Sequence, residues 1–240
     1  MSPWTHFSRK PLNYTREKTG IMSQEKNFTP ALGYTALTPI YDLAVRALTR
    51  EETWRSELLE QIRPSQSDRI LDVGCGTGSL AIRMKKINTE CEVHGIDPDA
   101  AILTRARKKA NAANVDITFH NGFLHPNMLA QLGRFSKIVS SLVFHQTALD
   151  SKRDILESTR KLLLPGGKLY VADYGLQRTP LMRTLFRCTV QAIDGVKDTQ
   201  HNANGCMPEL VATSGFTSIA EARVIPTPTG SISIYTAIRP

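Results

Sequence analysis

Long apolar runs are missing from this sequence of 240 residues. No stretch of 18 or more uninterrupted apolar residues occurs, so we expect no membrane-spanning helix. Cysteine is also scarce, and its four positions show neither a metal-binding nor a redox spacing. No apolar signal segment precedes them. These absences predict a chain with reduced thiols and a cytoplasmic location, which needs neither disulfides nor a structural metal. The cysteines are Cys75, Cys91, Cys188 and Cys206.

A concentrated positive patch is missing as well, although the formal net charge is +8. Such a charge favours a polyanionic partner only when it is gathered in one place. Here the basic residues are spread over segments of helical period such as 105–109. We therefore interpret them as solvated helix faces and do not expect nucleic acid binding.

The first thirty residues are polar, contain Pro3, Pro11 and Pro30, and show no sustained period. This pattern predicts a flexible arm over residues 1–30 and one domain over residues 31–240. Within that domain we expect an N-terminal helical cap at 31–63 and a lid insertion at about 176–205.

From residue 69 onward, short β-rich runs alternate with segments of helical period, which predicts right-handed crossovers and a parallel sheet covered on both faces. A ligand should then bind beyond the carboxyl ends of the strands. The predicted strands are 69–73, 91–97, 117–121, 137–142 and 168–173. The predicted helices are 79–87, 99–112, 126–131, 151–163, 180–193 and 208–214. Two last runs, 219–225 and 231–238, predict an antiparallel pair at one sheet edge.

A glycine-rich turn follows the first of these strands, in the sequence D-V-G-C-G-T-G from Asp72 to Gly78. Gly74, Gly76 and Gly78 permit close approach of the backbone to a ligand. A dinucleotide site would have the spacing G-x-G-x-x-G, but the residue in the last position is Ser79. Asp72 would also repel a pyrophosphate at close range, and it suits an ammonium or sulfonium ligand better.

A second acid, Asp97, ends the next strand. An acid at that place accepts hydrogen bonds from ribose hydroxyls, a role that dinucleotide and nucleoside ligands share. Asp97 could also be the N-cap of the helix that follows, with Pro98 at its first position.

These motifs resemble those of the class I S-adenosylmethionine-dependent methyltransferases, whose first motif is close to D-x-G-x-G-x-G. The resemblance runs from about Tyr41 to the C-terminus. It is strongest to the ubiquinone and menaquinone C-methyltransferase group and its small-molecule relatives. The other matching stretches are Y-D at 41–42, W-R at 54–55, the serine at 141 and L-L-L-P-G-G-K-L at 162–169.

The resemblance implies an α/β, Rossmann-like, doubly wound and mostly parallel seven-stranded sheet with an antiparallel C-terminal hairpin. It implies S-adenosylmethionine as the cofactor, with Asp72 and the glycine turn at its methionine end, Asp97 at its ribose and Pro98 beside its adenine. Where the family commonly has Gly-Asp-Ala, this chain has Gly122, Phe123 and Leu124, so the acid that binds the adenine amino group is replaced by Phe123. Adenine contact then falls to backbone groups and to Phe123. The remaining cofactor residues that the resemblance implies are Ser141 and Tyr41.

Methyl transfer from a sulfonium depends on positioning and requires no metal. Where a base assists, the candidates beyond the fourth and fifth strands are His145, Asp173 and Tyr174. His145 could instead anchor the substrate or only bond a loop carbonyl. The run Ser140 to His145 differs from the Asn/Asp-Pro-Pro-aromatic motif of nucleobase N-methyltransferases, and Pro-Pro is absent throughout. We therefore expect a small-molecule acceptor.

The insertion, which should form the substrate wall, departs from the quinone group at Thr199 to Asn204. Its segment 180–193 has apolar residues at helical spacing, which fits either a packed lid or peripheral contact with a membrane. The acceptor atom therefore stays open, as does the choice between monomer and homodimer. The alternatives are a nicotinamide (NAD) oxidoreductase and a catalytically silent nucleoside-binding partner protein.

Overall fold

The fold was examined in a computed structural model that describes residues 48–240, apart from the side chain of Leu129. The predicted arm, Tyr41 and most of the predicted cap lie outside the described residues. Of that cap, the structure describes one helix, α1 (Glu51–Ile62), which buries Trp54, Leu58 and Ile62.

The sheet has seven strands in the order β3-β2-β1-β4-β5-β7-β6. Neighbours from β3 to β5 are parallel, and β7 pairs antiparallel with both β5 and β6. This arrangement confirms the predicted fold class. The strands are β1 (Arg69–Val73), β2 (Glu92–Asp97), β3 (Thr118–Asn121), β4 (Phe135–Ser141), β5 (Leu163–Tyr174), β6 (Thr217–Thr227) and β7 (Gly230–Ile238).

Most of the predicted helices are present, with ends that differ by a few residues. The helices after α1 are α2 (Ser79–Ile87), α3 (Ala100–Ala112), α4 (Leu129–Leu132), α5 (Leu149–Leu162), α6 (Pro180–Cys188), α7 (Val190–Asp194), α8 (Val196–Ala203) and α9 (Met207–Thr213). The single helix predicted over 180–193 is two helices, and the polar stretch after it contains α8.

Two apolar cores cover the two faces of the sheet. Successive residues of β1 and β5 pack alternately into one core and into the other. Ile70 joins one core together with Trp54 of α1, Met84 of α2 and Phe186 of α6. Leu71 joins the other core, together with residues of α5 and α9. This alternation places Asp72 on the face covered by α1 and α2, because it lies two residues after Ile70.

The sheet order reverses between β1 and β4, which are direct neighbours although β2 and β3 lie between them in sequence. Loops leave the carboxyl ends of these two strands in opposite directions and open a crevice there. The predicted cofactor residues of β1 and β2 and the predicted catalytic residues of β4 and β5 all lie at this end of the sheet.

Candidate active site

The glycine turn between β1 and α2 has all three of its glycines in the left-handed region, with φ of 70°, 52° and 71° at Gly74, Gly76 and Gly78. At Gly74 the backbone also passes so close to Val143 that a Cβ would lie 2.3 Å from its Cγ2. A Cβ at Gly76 would meet nothing within 4 Å. The turn is therefore packed on one side and open at Gly76.

Asp72 is buried beneath this turn, and its side chain has an unusual environment. The residue is 1% exposed, and neither carboxylate oxygen has a hydrogen-bond partner among the described residues. Burial raises the pKa of Asp72 to about 7, while the charge of Arg55 and the nearby N–H of Ala81 oppose that rise. Since a buried acceptor without a partner is costly, Asp72 is suited to a ligand that brings a donor or a positive charge.

Asp97 is held rigidly beside the turn. Its Oδ2 accepts a hydrogen bond from the N–H of Gly76 at 2.9 Å, and its Oδ1 accepts one from the N–H of Asp99 at 3.0 Å. Burial raises its pKa. Each oxygen keeps a second lone pair, so the carboxylate can still accept from a ligand's hydroxyl groups.

The alternative role of Asp97 as a helix N-cap is wrong. The N-cap of α3 is Asp99, whose side chain accepts from the N–H groups of Ala101 and Ile102. Asp99 lies directly before Ala100, where α3 begins, and is therefore within reach of these two groups. Asp97 is thus left for the glycine turn and a ligand.

The remaining predicted cofactor residues lie around the same crevice, except Tyr41, which is outside the described residues. Pro98 is partly exposed after β2, and Gly122 follows β3 with open space where a Cβ would be. Phe123 is 38% exposed. Ser141 ends β4 and is partly exposed.

His145 and Asp173, predicted as catalytic candidates, are in direct contact. The Nδ1 of His145 lies 2.7 Å from Oδ1 of Asp173. Asp173 is fully buried and also accepts from the backbone N–H groups of Phe144 and Tyr174, both at 2.7 Å. Asp173 therefore fixes both the His145 ring and the loop after β4.

A third residue, Asp194 at the end of α7, completes this cluster. Its Oδ2 lies 3.4 Å from Nε2 of His145, on the opposite side of the ring from Asp173. Although burial lowers the pKa of His145, the two carboxylates outweigh it and raise that pKa to about 9. At neutral pH His145 is then an imidazolium that donates from both nitrogens.

Lys152 ties the insertion to the loop that carries His145. Its side chain is fully buried, and its Nζ donates to the carbonyl of Thr147 and, at 3.0 Å, to that of Asp198 in α8. Burial lowers the pKa of Lys152. The loop after β4 and the insertion are thus joined by a buried cation as well as by His145.

Sequence reasoning missed Asp194, Lys152 and Asn121. The amide of Asn121 donates to the carbonyls of Asp97 and Pro98, which ties the end of β3 to the end of β2. Asn121 could have been noticed as a polar residue at the carboxyl end of a parallel strand. Asp194 carries no such signal, because it reaches the site only through the packing of the insertion.

Comparison with known proteins identifies the domain. Residues 70–167 match the family model described as a methyltransferase domain. The chain is 28% identical over 166 residues to the demethylmenaquinone methyltransferase of Deinococcus radiodurans, and the aligned residues cover 67% of this chain and 66% of the relative. It is 33% identical over 151 residues to the release factor glutamine methyltransferase of the same organism, covering 52% and 53%.

Among solved structures, the magnesium protoporphyrin IX methyltransferase from Synechocystis PCC 6803, with bound SAH, matches with a TM-score of 0.61 and 21% identity, covering 83% of this chain and 86% of that chain. The chain spans between 53 and 66% of the length of the first curated relatives. The family match runs from β1 into β5, so residues 70–167 are similar to a methyltransferase domain, and the chain shares the fold of the solved S-adenosylmethionine-dependent methyltransferase.

Proposed function

We propose that the protein transfers the methyl group of S-adenosylmethionine to a small-molecule acceptor by in-line displacement. The observation that carries this proposal is Asp72, a buried carboxylate without a hydrogen-bond partner among the described residues, directly beneath an open glycine turn. A phosphate-bearing ligand would be repelled there, whereas the ammonium group of a methionine moiety would satisfy the carboxylate.

Three parts of the site would hold the cofactor. Asp72 takes the ammonium group, Asp97 accepts from the ribose hydroxyls, and the open side of Gly76 lets the backbone approach the ligand. Phe123, whose ring is partly exposed, would cover the adenine. When bound, the cofactor supplies an electrophilic methyl group on a sulfonium.

Alignment is the main contribution that this chain's residues can make, because positive charge disperses during the displacement. Holding two reactants in line contributes about 7 to 11 kcal/mol towards the barrier. The Asp173 carboxylate fixes the loop after β4 through two hydrogen bonds, and that loop borders the crevice. We propose that this loop positions the acceptor.

His145 would act there as a charged anchor at neutral pH. The possible roles of His145 are general base, substrate anchor and a plain hydrogen bond to a loop carbonyl, and the last is not the observed contact, because both ring nitrogens face carboxylates. A base must be unprotonated before it accepts a proton, and a pKa of about 9 leaves His145 protonated at pH 7. The contacts of His145 therefore favour the anchor role, with base catalysis confined to higher pH.

A lipid-like or aromatic acceptor is the class that we propose. The demethylmenaquinone methyltransferase, named above as a relative, supports this choice through the substrate in its name. The insertion supports it through large apolar side chains that face outward, and apolar exposure of this kind is common where partners or lipids bind. These side chains are Leu181, at 63% exposure, Ile193, at 67%, and Val196, at 54%.

The test is an acceptor screen read by mass spectrometry, with quinols, phenols and porphyrins as acceptors and S-adenosylmethionine as donor. We expect a product heavier by one methylene unit that depends on one of these classes. S-adenosylmethionine binding without any acceptor-dependent product would favour the silent nucleoside-binding alternative.

Two variants then test the loop. We expect His145→Ala and His145→Gln to keep cofactor affinity within a few fold and to lose about a hundredfold or more in methyl-transfer rate. His201→Gln, an exposed histidine of the same insertion, is the matched control and should turn over normally. If the His145 variants are as active as this control, the role of His145 is wrong.

A further inference from the structure

Among the described residues, Asp194 is the one residue of the insertion that forms an ion pair with His145. It is the last residue of α7, and its carboxylate is 27% exposed. Gly195 follows it with φ of 83° and open space where a Cβ would be. The contact with Nε2 of His145 is 3.4 Å long, whereas the contact of Asp173 with Nδ1 is 2.7 Å. His145 is thus held tightly from the sheet and loosely from the insertion.

The elements around His145 bring few other ionisable groups to the ring. Asp173 comes from β5, and the ring of Tyr174 packs edge-on with its centroid 5.0 Å away. The Nζ of Lys152 in α5 donates to the backbone carbonyl of Asp198 in α8. Cys206 lies close enough to affect the pKa of Lys152. Of these groups, only Asp173 and Asp194 form an ion pair with the imidazole.

We propose that Asp194 is a positioning residue of the methyl-transfer site, which holds the imidazole of His145 from the insertion and keeps it charged. This inference rests on the proposed function, because it makes the insertion set the protonation state of a residue beside the acceptor. With Asp194 in contact, both N–H groups of the charged ring donate to carboxylates. Without that contact, one carboxylate remains and the ring loses its proton at a lower pH.

Such a device has a chemical consequence for the acceptor. An acceptor oxygen reaches the charged ring by displacing the loose contact of Asp194 with Nε2, which is 3.4 Å long. An anionic oxygen such as a phenolate or an enolate is favoured there, since an N–H donor to a charged oxygen is a strong interaction. The same imidazole disfavours an acceptor amine, which would bring a second positive charge. Asp194 thereby acts on acceptor preference without contacting the cofactor.

The proposal is tested by NMR titration of the His145 ring in the full-length protein without cofactor. His145→Gln identifies the resonance among the six histidines. In Asp194→Asn we expect the ring pKa to fall by about one unit or more, because a nearby opposite charge shifts a pKa by about 1 to 3 units. Asp198→Asn, in the neighbouring helix, is the matched control and should leave the pKa within about 0.2 units of the parent. Asp194→Glu should restore most of the shift.

An unchanged ring pKa in Asp194→Asn would overturn the proposal. A second measurement needs no variant: nitrogen-15 spectra of the parent at pH 8 should show both nitrogens of His145 protonated, and a single protonated nitrogen would overturn the proposal equally. Neither measurement requires turnover, so a protein that passes both and methylates no acceptor would refute the proposed function alone. In an active protein, the pH profile of the rate should shift to lower pH in Asp194→Asn.

Discussion

At the scale of a single residue, Asp72 makes the stability of the protein depend on pH, since its pKa of about 7 lies far above the ordinary value of 3.8. The folded state holds this proton more tightly than the unfolded state does. The residue's contribution to stability is therefore lost as pH rises from about 4 to about 7. Integrated over this window, the free energy of unfolding falls by about 4 kcal/mol. The ionised carboxylate of Asp72 therefore destabilises the folded protein above pH 7.

We predict that Asp72→Asn raises the free energy of unfolding at pH 8 but not at pH 4, and weakens S-adenosylmethionine binding. In the parent, affinity should rise with pH up to about 7, because the ammonium group favours the ionised carboxylate, and this dependence should vanish in the variant. Urea unfolding and calorimetry at several pH values provide the two readouts. Asp150→Asn, at a side chain that is 92% exposed, is the control.

A deaminated cofactor analogue separates the ammonium contact from a general effect on the turn. It should bind the parent and Asp72→Asn with similar affinity. If the variant weakens both ligands equally, Asp72 does not face the amino group.

Residues of the site could be predicted where they belong to one short sequence motif. Asp72, the three glycines and Asp97 lie within 26 residues, at the carboxyl ends of two short strands. The sequence pattern was therefore enough to predict that they lie together at one end of the sheet. Asp194 comes to His145 from 49 residues away along the chain, through helices whose packing no periodicity records. The pKa of His145 depends on that contact, so its charge state could not be anticipated either.

At the scale of elements, the turn between β1 and α2 depends on a neighbour in β2. A Cβ at Gly95 would lie 2.8 Å from Sγ of Cys75 and 2.9 Å from Cδ1 of Phe119. Gly95 has an ordinary φ, so glycine is required there because no side chain fits and not because of the backbone conformation. The small residue in β2 lets the turn pack directly on the strand, which sets the height of Gly76 above the sheet.

We predict that Gly95→Ala destabilises the protein by about 1 to 3 kcal/mol through overpacking and weakens S-adenosylmethionine binding by displacing the turn. Cys75→Ala in the same chain should recover part of both losses, because it removes one of the two close contacts. Thermal unfolding and calorimetry measure these effects. A Gly95→Ala protein with parental stability and affinity would show that the strand does not support the turn.

The elements themselves were predicted best where the pattern was strong. The first strand, 69–73, and the helix 79–87 were predicted with the bounds that the structure has. The insertion was predicted poorly. The helix predicted over 180–193 breaks at Thr189, with φ of −114° and ψ of −77°, and Ile193 is exposed rather than packed.

Helix α8 was missed because most of its residues are polar and several of them, such as Asp198, Thr199 and Asn202, are weak helix formers. Tertiary contacts stabilise it instead: Thr199 and Asn202 are fully buried, and the amide of Asn202 donates to the carbonyl of Tyr174. The strand β5 is longer than predicted because it begins at Leu163, before the Pro-Gly-Gly segment, and pairs there irregularly with β4. In both cases packing overrides the local sequence preference.

At the scale of the whole molecule, the glycine turn, Asp97 and Asp173 are brought to one end of the sheet by strands that are distant in sequence. The turn after β1, the acid after β2 and the loop after β4 meet where the strand order reverses. Between residues 48 and 240 no helix is long and apolar enough to cross a membrane. In the proposed function, this crevice holds the cofactor and the insertion forms the acceptor side.

The most direct test of this account is calorimetry of the full-length protein with S-adenosylmethionine, its demethylated product and NAD. The account predicts one site that binds the first two ligands and not NAD, because Asp72 attracts an ammonium group and repels a pyrophosphate. Binding of NAD, or failure of S-adenosylmethionine to bind at millimolar concentration, would contradict it.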